Sequence, residues 1–403
     1  MKKRLSLQTK LLITDSVFMK ICDIFFDIFL MAYFYKISDQ NIFVLALYNI
    51  IGWISAMIGA ILISQVLKRY SKIWFYRLGI VIKLSVMLFV ALLGPETLNY
   101  FWLIAILWGV EIAFNGYIRN FLESENIPSD ELIRYSGFGH VFTNSAAILV
   151  PVILGGAIFA SSFEVTAFTL LVIIALELAM SFKIKSRKVE RKAGRPPKPD
   201  YRGFFRAVRK NRNFRSLMLQ QFLGGLSYQG VMSLLVSVLI FQAVGNELSL
   251  GGWSSIFSAI CIITMFLFAK LFKKKAQKPT QLFATLVIIV CCVPLLLEVN
   301  FVNILIYNLG FYTAVRIMRE IIYTDVIMFS KIKPYNDKYN VEFFAVREIL
   351  LNTGRALGYA ALAFAALPTL GLASGLKLVF IIVIAAITLM GLLSANFRVY
   401  RRK

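Results

Sequence analysis

Apolar residues in this chain come in long blocks, not in the alternation of strands or the one-sided stripe of soluble helices. Twelve blocks are long enough to cross a bilayer: 12–35, 42–66, 74–94, 97–121, 133–160, 163–183, 215–243, 249–271, 278–298, 300–330, 341–366 and 371–397. A span needs roughly 20 apolar residues. Its backbone must satisfy its own hydrogen bonds in lipid, so the pattern predicts twelve membrane helices and an all-α protein.

Polar residues between the blocks give the chain a direction. Lys2, Lys3, Arg4 and Lys10 precede the first span, Lys68, Arg69 and Lys72 follow the second, and 184–214 is dense in Lys and Arg. Lys273, Lys274, Lys275 and Lys278 follow the eighth span, Lys331, Lys333 and Lys338 the tenth, and Arg401, Arg402 and Lys403 end the chain. The alternate connections are nearly free of cations, apart from Lys36. Cytoplasmic loops carry this excess, so both termini and the central loop are expected on the cytoplasmic side of the inner membrane. The chain then divides into a six-helix bundle at 1–183, a basic linker at 184–214 and a second six-helix bundle at 215–403. Asn144 and Asn352 stand at matching places in spans five and eleven, 208 residues apart. Within the linker, 192–199 is rich in Pro and should be extended. Gly194, Arg195 and Pro196 form the core triplet of a minor-groove AT-hook, but Ala193 stands where a basic flank belongs, and a solvated linker is the better reading. Phe204, Phe205 and Val208 alternate with Arg202, Arg206, Arg209 and Lys210, an amphipathic stretch expected to lie along the membrane interface.

Composition agrees with the pattern. Hydrophobic residues make up 59% of the chain, charged residues 16%, and the mean hydropathy is +0.74. A soluble domain holds about a quarter charged residues. The net charge of +23 sits in loops between spans, which argues against nucleic acid. Cys22, Cys261, Cys291 and Cys292 lie in apolar runs without metal or redox spacing. His140 is the single histidine, so no metal site is expected. Without a glycine-rich nucleotide loop or a nucleophile–base pair, no enzyme and no cofactor is expected either.

Candidate chemistry lies in the ionisable residues inside the spans, where charge is costly. In span one, a step of 100° per residue sets Ser16, Lys20, Asp23 and Asp27 on one stripe, and Asp23 falls about 17 Å from the end that carries the N-terminus. The stripe either lines a cavity or closes on itself as a Lys20–Asp23 pair. Glu111 lies near the middle of span four, with Asn115 one turn on. Arg316 in span ten and Arg355 in span eleven lie near mid-depth, and a guanidinium fork matches a carboxylate or phosphate. Arg319, Glu320, Arg347 and Glu348 read as a salt-bridge network closing the cytoplasmic side. Lys83 and Glu177 are expected to pair or snorkel as structural charges. A carboxylate in a partly dry cavity can exchange a proton near neutral pH, so Asp23, Asp27 or Glu111 is expected to take up and release a coupling proton.

The six-plus-six layout, the long basic central loop and the run from Arg209 to Arg215 into span seven resemble the major facilitator superfamily. So does span five, with Asn144, Pro151, Gly155 and Gly156, and the loop after span two, with Gly59, Lys68, Arg69 and Lys72. The resemblance covers nearly the whole chain. It implies a secondary transporter whose spans one, four, seven and ten line the cavity. Asp23, Asp27, Glu111 and Arg316 fall on three of these, and Tyr228 and Gln229, with Gln220, Gln221 and Ser227, on the fourth. The implied cargo is a charged, zwitterionic or amphiphilic small molecule, moved by a monomer among membrane lipids. Export or flipping of an amphiphile, and a transporter-like sensor or assembly protein, are the competing readings.

Overall fold

The computed structural model describes residues 5–67, 70–127, 131–185, 199–209, 211–271, 277–330, 339–367 and 372–397. No strand occurs among them. The helices are α1 (Leu7–Ile24), α2 (Met31–Ile37), α3 (Ile42–Val66), α4 (Lys72–Leu93), α5 (Phe101–Asn126), α6 (Leu132–Ala160), α7 (Phe163–Ser181) and α8 (Tyr201–Val208). The second half of the chain adds α9 (Arg212–Leu226), α10 (Val231–Val244), α11 (Glu247–Leu271), α12 (Gln277–Leu297), α13 (Phe301–Gly310), α14 (Arg316–Ser330), α15 (Asn340–Ala365) and α16 (Leu372–Ala395). Nine described segments are long and apolar enough to cross a membrane, and one of them, Lys72–Arg119, holds most of two helices. The stretch 7–37 and α15 are not among the nine, because charged and polar residues interrupt their apolar runs.

Two compact units divide the chain. The first comprises Met1–Gln40, Ser55–Lys198 and Val244–Ser255; the second comprises Asn41–Ile54, Pro199–Ala243 and Ile256–Lys403. In the first, α1 packs on α6 and α7, and α4 on α5 and α7. Local signals set the ends. Ser6 caps α1 by accepting from the Thr9 amide, and Ser162 caps α7 by accepting from Val165, each satisfying an amide that a helix start leaves open. Gly94, at φ +50°, ends α4 in a backbone region that suits glycine.

In the second unit, α9 packs on α15 and α16, and α12 on α13 and α16. Small residues permit this closeness. A Cβ on Gly225 would collide with the Leu351 carbonyl, and one on Gly354 with the Phe222 carbonyl. In lipid, helix association relies on such close packing, since the tails offer no hydrophobic drive.

Three segments depart from the regular helices that the sequence suggests. Phe25–Leu30 and Phe311–Val315 are π-helical, widening the turn inside spans one and ten. Span seven is broken: α9 stops at Leu226, four turn residues follow, and α10 begins at Val231. The amphipathic stretch forms α8. Phe204 and Val208 are buried against Phe214, Leu217, Phe329, Tyr339 and Phe343, whereas Phe205 stays exposed. Arg202, Arg206 and Arg209 stay exposed. A neighbouring aromatic cluster offers closer packing than lipid headgroups. The Gly194–Pro196 triplet, the Lys68–Arg69 turn and the His140 side chain lie outside the described residues.

Burial of Phe204 in that cluster predicts the cost of removing it. Phe204→Ala should destabilise the purified protein by roughly 3 kcal/mol, seen as an earlier thermal transition in detergent. Arg206→Ala, on the exposed side of α8, should change stability by about 0.5 kcal/mol or less.

Candidate functional site

Ionisable side chains gather in three places, two in the first unit and one in the second. The first group joins α1, α4, α5 and α6. The carboxylate of Asp15, fully buried, accepts from Tyr76 Oη at 2.5 Å and pairs with Arg119 Nη1 at 3.4 Å. Arg119 Nε meets Glu123 Oε1 at 2.8 Å, and Tyr135 Oη donates to that same oxygen at 2.8 Å. The Arg119 guanidinium also donates to Ser16 Oγ and Met19 Sδ. Glu131 accepts from the Ser6 amide at 3.0 Å and from Thr9 Oγ1 at 2.5 Å, tying the start of α1 to the start of α6. None of Asp15, Tyr76, Arg119 or Glu123 was singled out from the sequence. The spacing of Arg119 and Glu123, one helical turn apart, was the available sign.

Deeper in the first unit, Lys83 of α4 donates to both Glu177 oxygens, at 3.0 and 3.3 Å. It also lies 3.6 Å from Glu111 Oε1 on α5, and Asn115 Nδ2 donates to that oxygen at 2.5 Å. The expected pairing of Lys83 and Glu177 is present, but it is not peripheral. Their side chains are 3% and 0% exposed, so neither snorkels. Two carboxylates share one ammonium, which leaves one negative charge uncompensated within the triad. Asp23 acts electrostatically on Lys83 and Glu111. Asp23 and Asp27 themselves present exposed side chains. Lys20 is half-buried, and no ion pair closes between Lys20 and Asp23 among the described residues. Asn144 sits half-buried on α6 in the same unit.

The third group lies in the second unit, around the break in span seven. Breaking a helix inside a membrane frees backbone carbonyls that must find donors. Arg355 of α15 supplies them: Nε donates to the Gln229 carbonyl at 3.0 Å and Nη2 to Gln229 Oε1 at 3.1 Å. Nη1 donates to Asn352 Oδ1 at 2.8 Å, and the Trp53 ring stacks on the guanidinium with its centroid 4.1 Å from Cζ. Tyr359 Oη donates to the Gly230 carbonyl at 3.1 Å, and Gln229 Nε2 donates to Tyr228 Oη at 2.8 Å. The repeat partners Asn144 and Asn352 thus differ in setting, since only Asn352 holds an arginine among the described contacts. Arg355, Tyr228, Gln229 and Asn352 come together as one cluster. Trp53 and the break itself were not anticipated; Gly224, Gly225 and Gly230 around Ser227 were the legible hint.

Arg316, Arg319, Arg347, Glu320 and Glu348 border this cluster. Arg316 Nε lies 3.5 Å from Glu320 Oε1 along α14, and Arg347 Nη1 lies 2.5 Å from the adjacent Glu348 Oε1. Arg347 Nε donates to Gln221 Oε1 of α9 at 3.1 Å. Of the four residues expected to form a gate, Glu320, Arg347 and Glu348 pair within their own helices, and the link from Arg347 to α9 runs through a neutral amide. Arg319 is exposed and makes no hydrogen bond or ion pair among the described residues. The π segment at Phe311–Val315 adjoins the candidate Arg316, and the one at Phe25–Leu30 contains the candidate Asp27. Such local widening recurs at functional sites.

Charge accounting predicts an asymmetry in the buried triad. Lys83→Met leaves two carboxylates with no cation and should cost about 3–5 kcal/mol. Glu177→Gln leaves Lys83 facing Glu111 and should cost clearly less in the same thermal unfolding series; the reverse order would contradict the pairing. At the span-seven break, Arg355→Lys keeps the charge but loses the fork. We expect a loss on the order of 2 kcal/mol and faster amide exchange across 226–232, read by mass spectrometry.

Comparison with known proteins follows the same lines. Residues 124–319 match the family model described as Major Facilitator Superfamily. The uncharacterised protein YqgE of Bacillus subtilis (strain 168) is 26% identical over 334 residues, covering 81% of this chain and 75% of that protein. Among solved structures, the nucleoside transporter NupG shares the fold with a TM-score of 0.68 at 12% identity, over 98% of this chain and 100% of its own. The human organic anion transporter MFSD10 gives 0.68 at 13% identity, over 96% and 99%. A bacterial homologue of the iron transporter ferroportin, in its inward-facing state, gives 0.66 at 13%, over 97% and 99%. With residues 124–319 matching the family model and its fold shared with these transporters, the chain is similar to members of the Major Facilitator Superfamily.

Proposed function

We propose that this multi-pass membrane protein is a proton-coupled secondary transporter of a charged or zwitterionic small molecule, working by alternating access. The observation that supports it most is the placing of ionisable groups inside spans one, four, ten and eleven. Such groups are expensive in a membrane and mark substrate or proton pathways. The family and fold support transport in general. The solved relatives are named for iron, nucleosides and organic anions, and one fold hosts many cargoes, so the cargo must be argued from the site.

Of the acids in the first unit, Glu111 is the best candidate for the coupling proton. It shares Lys83 with Glu177, and a proton on Glu111 cancels the uncompensated charge of the triad. Asp23, exposed and acting on Glu111 electrostatically, offers a route to water. The distribution of Lys and Arg supports termini and a central loop on the cytoplasmic side of the cytoplasmic membrane. The protein acts as a monomer surrounded by lipid and carries out no chemistry on its cargo.

The test is a panel of charged metabolites added to proteoliposomes that enclose a pH-sensitive dye. At least one solute should enter with a change of internal pH. Asp23→Asn, Asp27→Asn and Glu111→Gln should each be compared, and Glu111→Gln should abolish the pH change. Solute entry with the pH change intact in all three variants would rule out coupling at these acids. Entry of no solute would remove the transport reading itself.

A further inference from the structure

The second unit holds more cation than its own acids can neutralise. Four guanidinium groups, Arg316, Arg319, Arg347 and Arg355, lie within electrostatic reach of one another or of the Tyr228 phenol between them. The acids in this group are Glu320 and Glu348, and each is spoken for: Glu320 by Arg316, Glu348 by Arg347. Arg355 is bonded to neutral acceptors, Gln229 and Asn352. Arg319 has no bonded partner among the described residues and presents its side chain at the surface of the unit. Arg316 Nε, although near Glu320, is a buried nitrogen without a hydrogen-bond acceptor. Two positive charges are left over, in spans ten and eleven.

Unneutralised charge of one sign inside a membrane segment is the costly case, and it is tolerated where a ligand supplies the opposite charge. We infer that this cluster binds a small oxyanion carrying two negative charges, a phosphate monoester or a dicarboxylate, with Arg319 as its anchor. Both ligand types present the same chemistry to the protein, paired anionic oxygens that a guanidinium fork can grip in two places. Arg316, one turn before Arg319 on α14, is the second cation. Arg355 sets the field, and its bonds to the span-seven break keep that field fixed. Tyr228 and Gln221, each buried, add neutral polar groups beside the arginines: Gln221 accepts from Arg347, and Tyr228 accepts from Gln229. This assignment rests on the transport reading, for which it names the class of cargo.

The experiment uses the full-length protein purified in detergent, at ionic strength held constant with sodium chloride. Inorganic phosphate and succinate are the anionic probes, choline the cationic control. Either anion should raise the melting temperature in a saturable way; phosphate alone points to a phosphoryl ligand and succinate alone to a dicarboxylate. Arg319→Gln should weaken that binding by about tenfold or more, and Arg319→Lys should restore part of it. Arg319 makes no hydrogen bond or ion pair among the described residues, so its variants should melt like the parent without ligand. If neither anion stabilises the protein, if Arg319→Gln binds as tightly as the parent, or if choline alone stabilises, the assignment is wrong. Anion binding without flux in vesicles would leave this site standing and remove the transport reading. Flux of a cation without anion binding would do the reverse.

Discussion

The constraint on which this structure depends is the cost of holding charge where there is no water. An isolated ion in hydrocarbon is unaffordable by several kcal/mol, so each ionisable residue inside the spans must be paired, hydrogen-bonded, or left open to a ligand. The chain uses all three solutions. Asp15 and Arg119 are paired and further bonded by Tyr76, Ser16 and Glu123. Lys83 is shared between two acids. Arg355 spends its donors on a broken helix, and Arg319 is left open.

The two units divide this work unequally. Among the described candidate residues, the exposed acids Asp23 and Asp27 belong to the first unit, whereas the surplus arginines belong to the second. That difference suits a transporter in which one half handles protons and the other holds the cargo. It also explains the irregular segments. The π turns and the break at Ser227–Gly230 are costly in an apolar solvent, and they occur beside Asp27, Arg316 and Arg355. A helix can be interrupted at such depth only where side chains repair its hydrogen bonds, and Arg355 and Tyr359 do so here.

Much of the fold could be read from hydropathy, because a membrane imposes one length and one kind of secondary structure on whatever crosses it. Apart from α8, the helices fall on the twelve apolar blocks, and the family resemblance stands. The sequence was less informative about contacts. A step of 100° per residue assumes a regular helix, so it could not foresee the π segments in spans one and ten. The amphipathic pattern of 201–208 correctly marks a helix, but period alone does not say whether Phe204 meets lipid or Phe343. Lys83 and Glu177 read only as charges that pair or snorkel; their burial beside Glu111 comes from the fold of the first unit. Asp15 and Arg119 escaped notice because each looks ordinary near the end of a span, and only the fold brings them together. Arg316, Arg319, Arg347 and Arg355 were all recognised, but their surplus of charge emerges only when the bonds of Glu320 and Glu348 are known.

The account's central claim is that proton movement drives an anionic cargo through this protein. The most direct measurement is uphill accumulation of a doubly charged anion in proteoliposomes under an imposed pH difference. The account predicts accumulation above the external concentration, collapsing when a protonophore equalises the pH. Accumulation that a protonophore leaves unchanged, or movement only down the anion's own gradient, would contradict it.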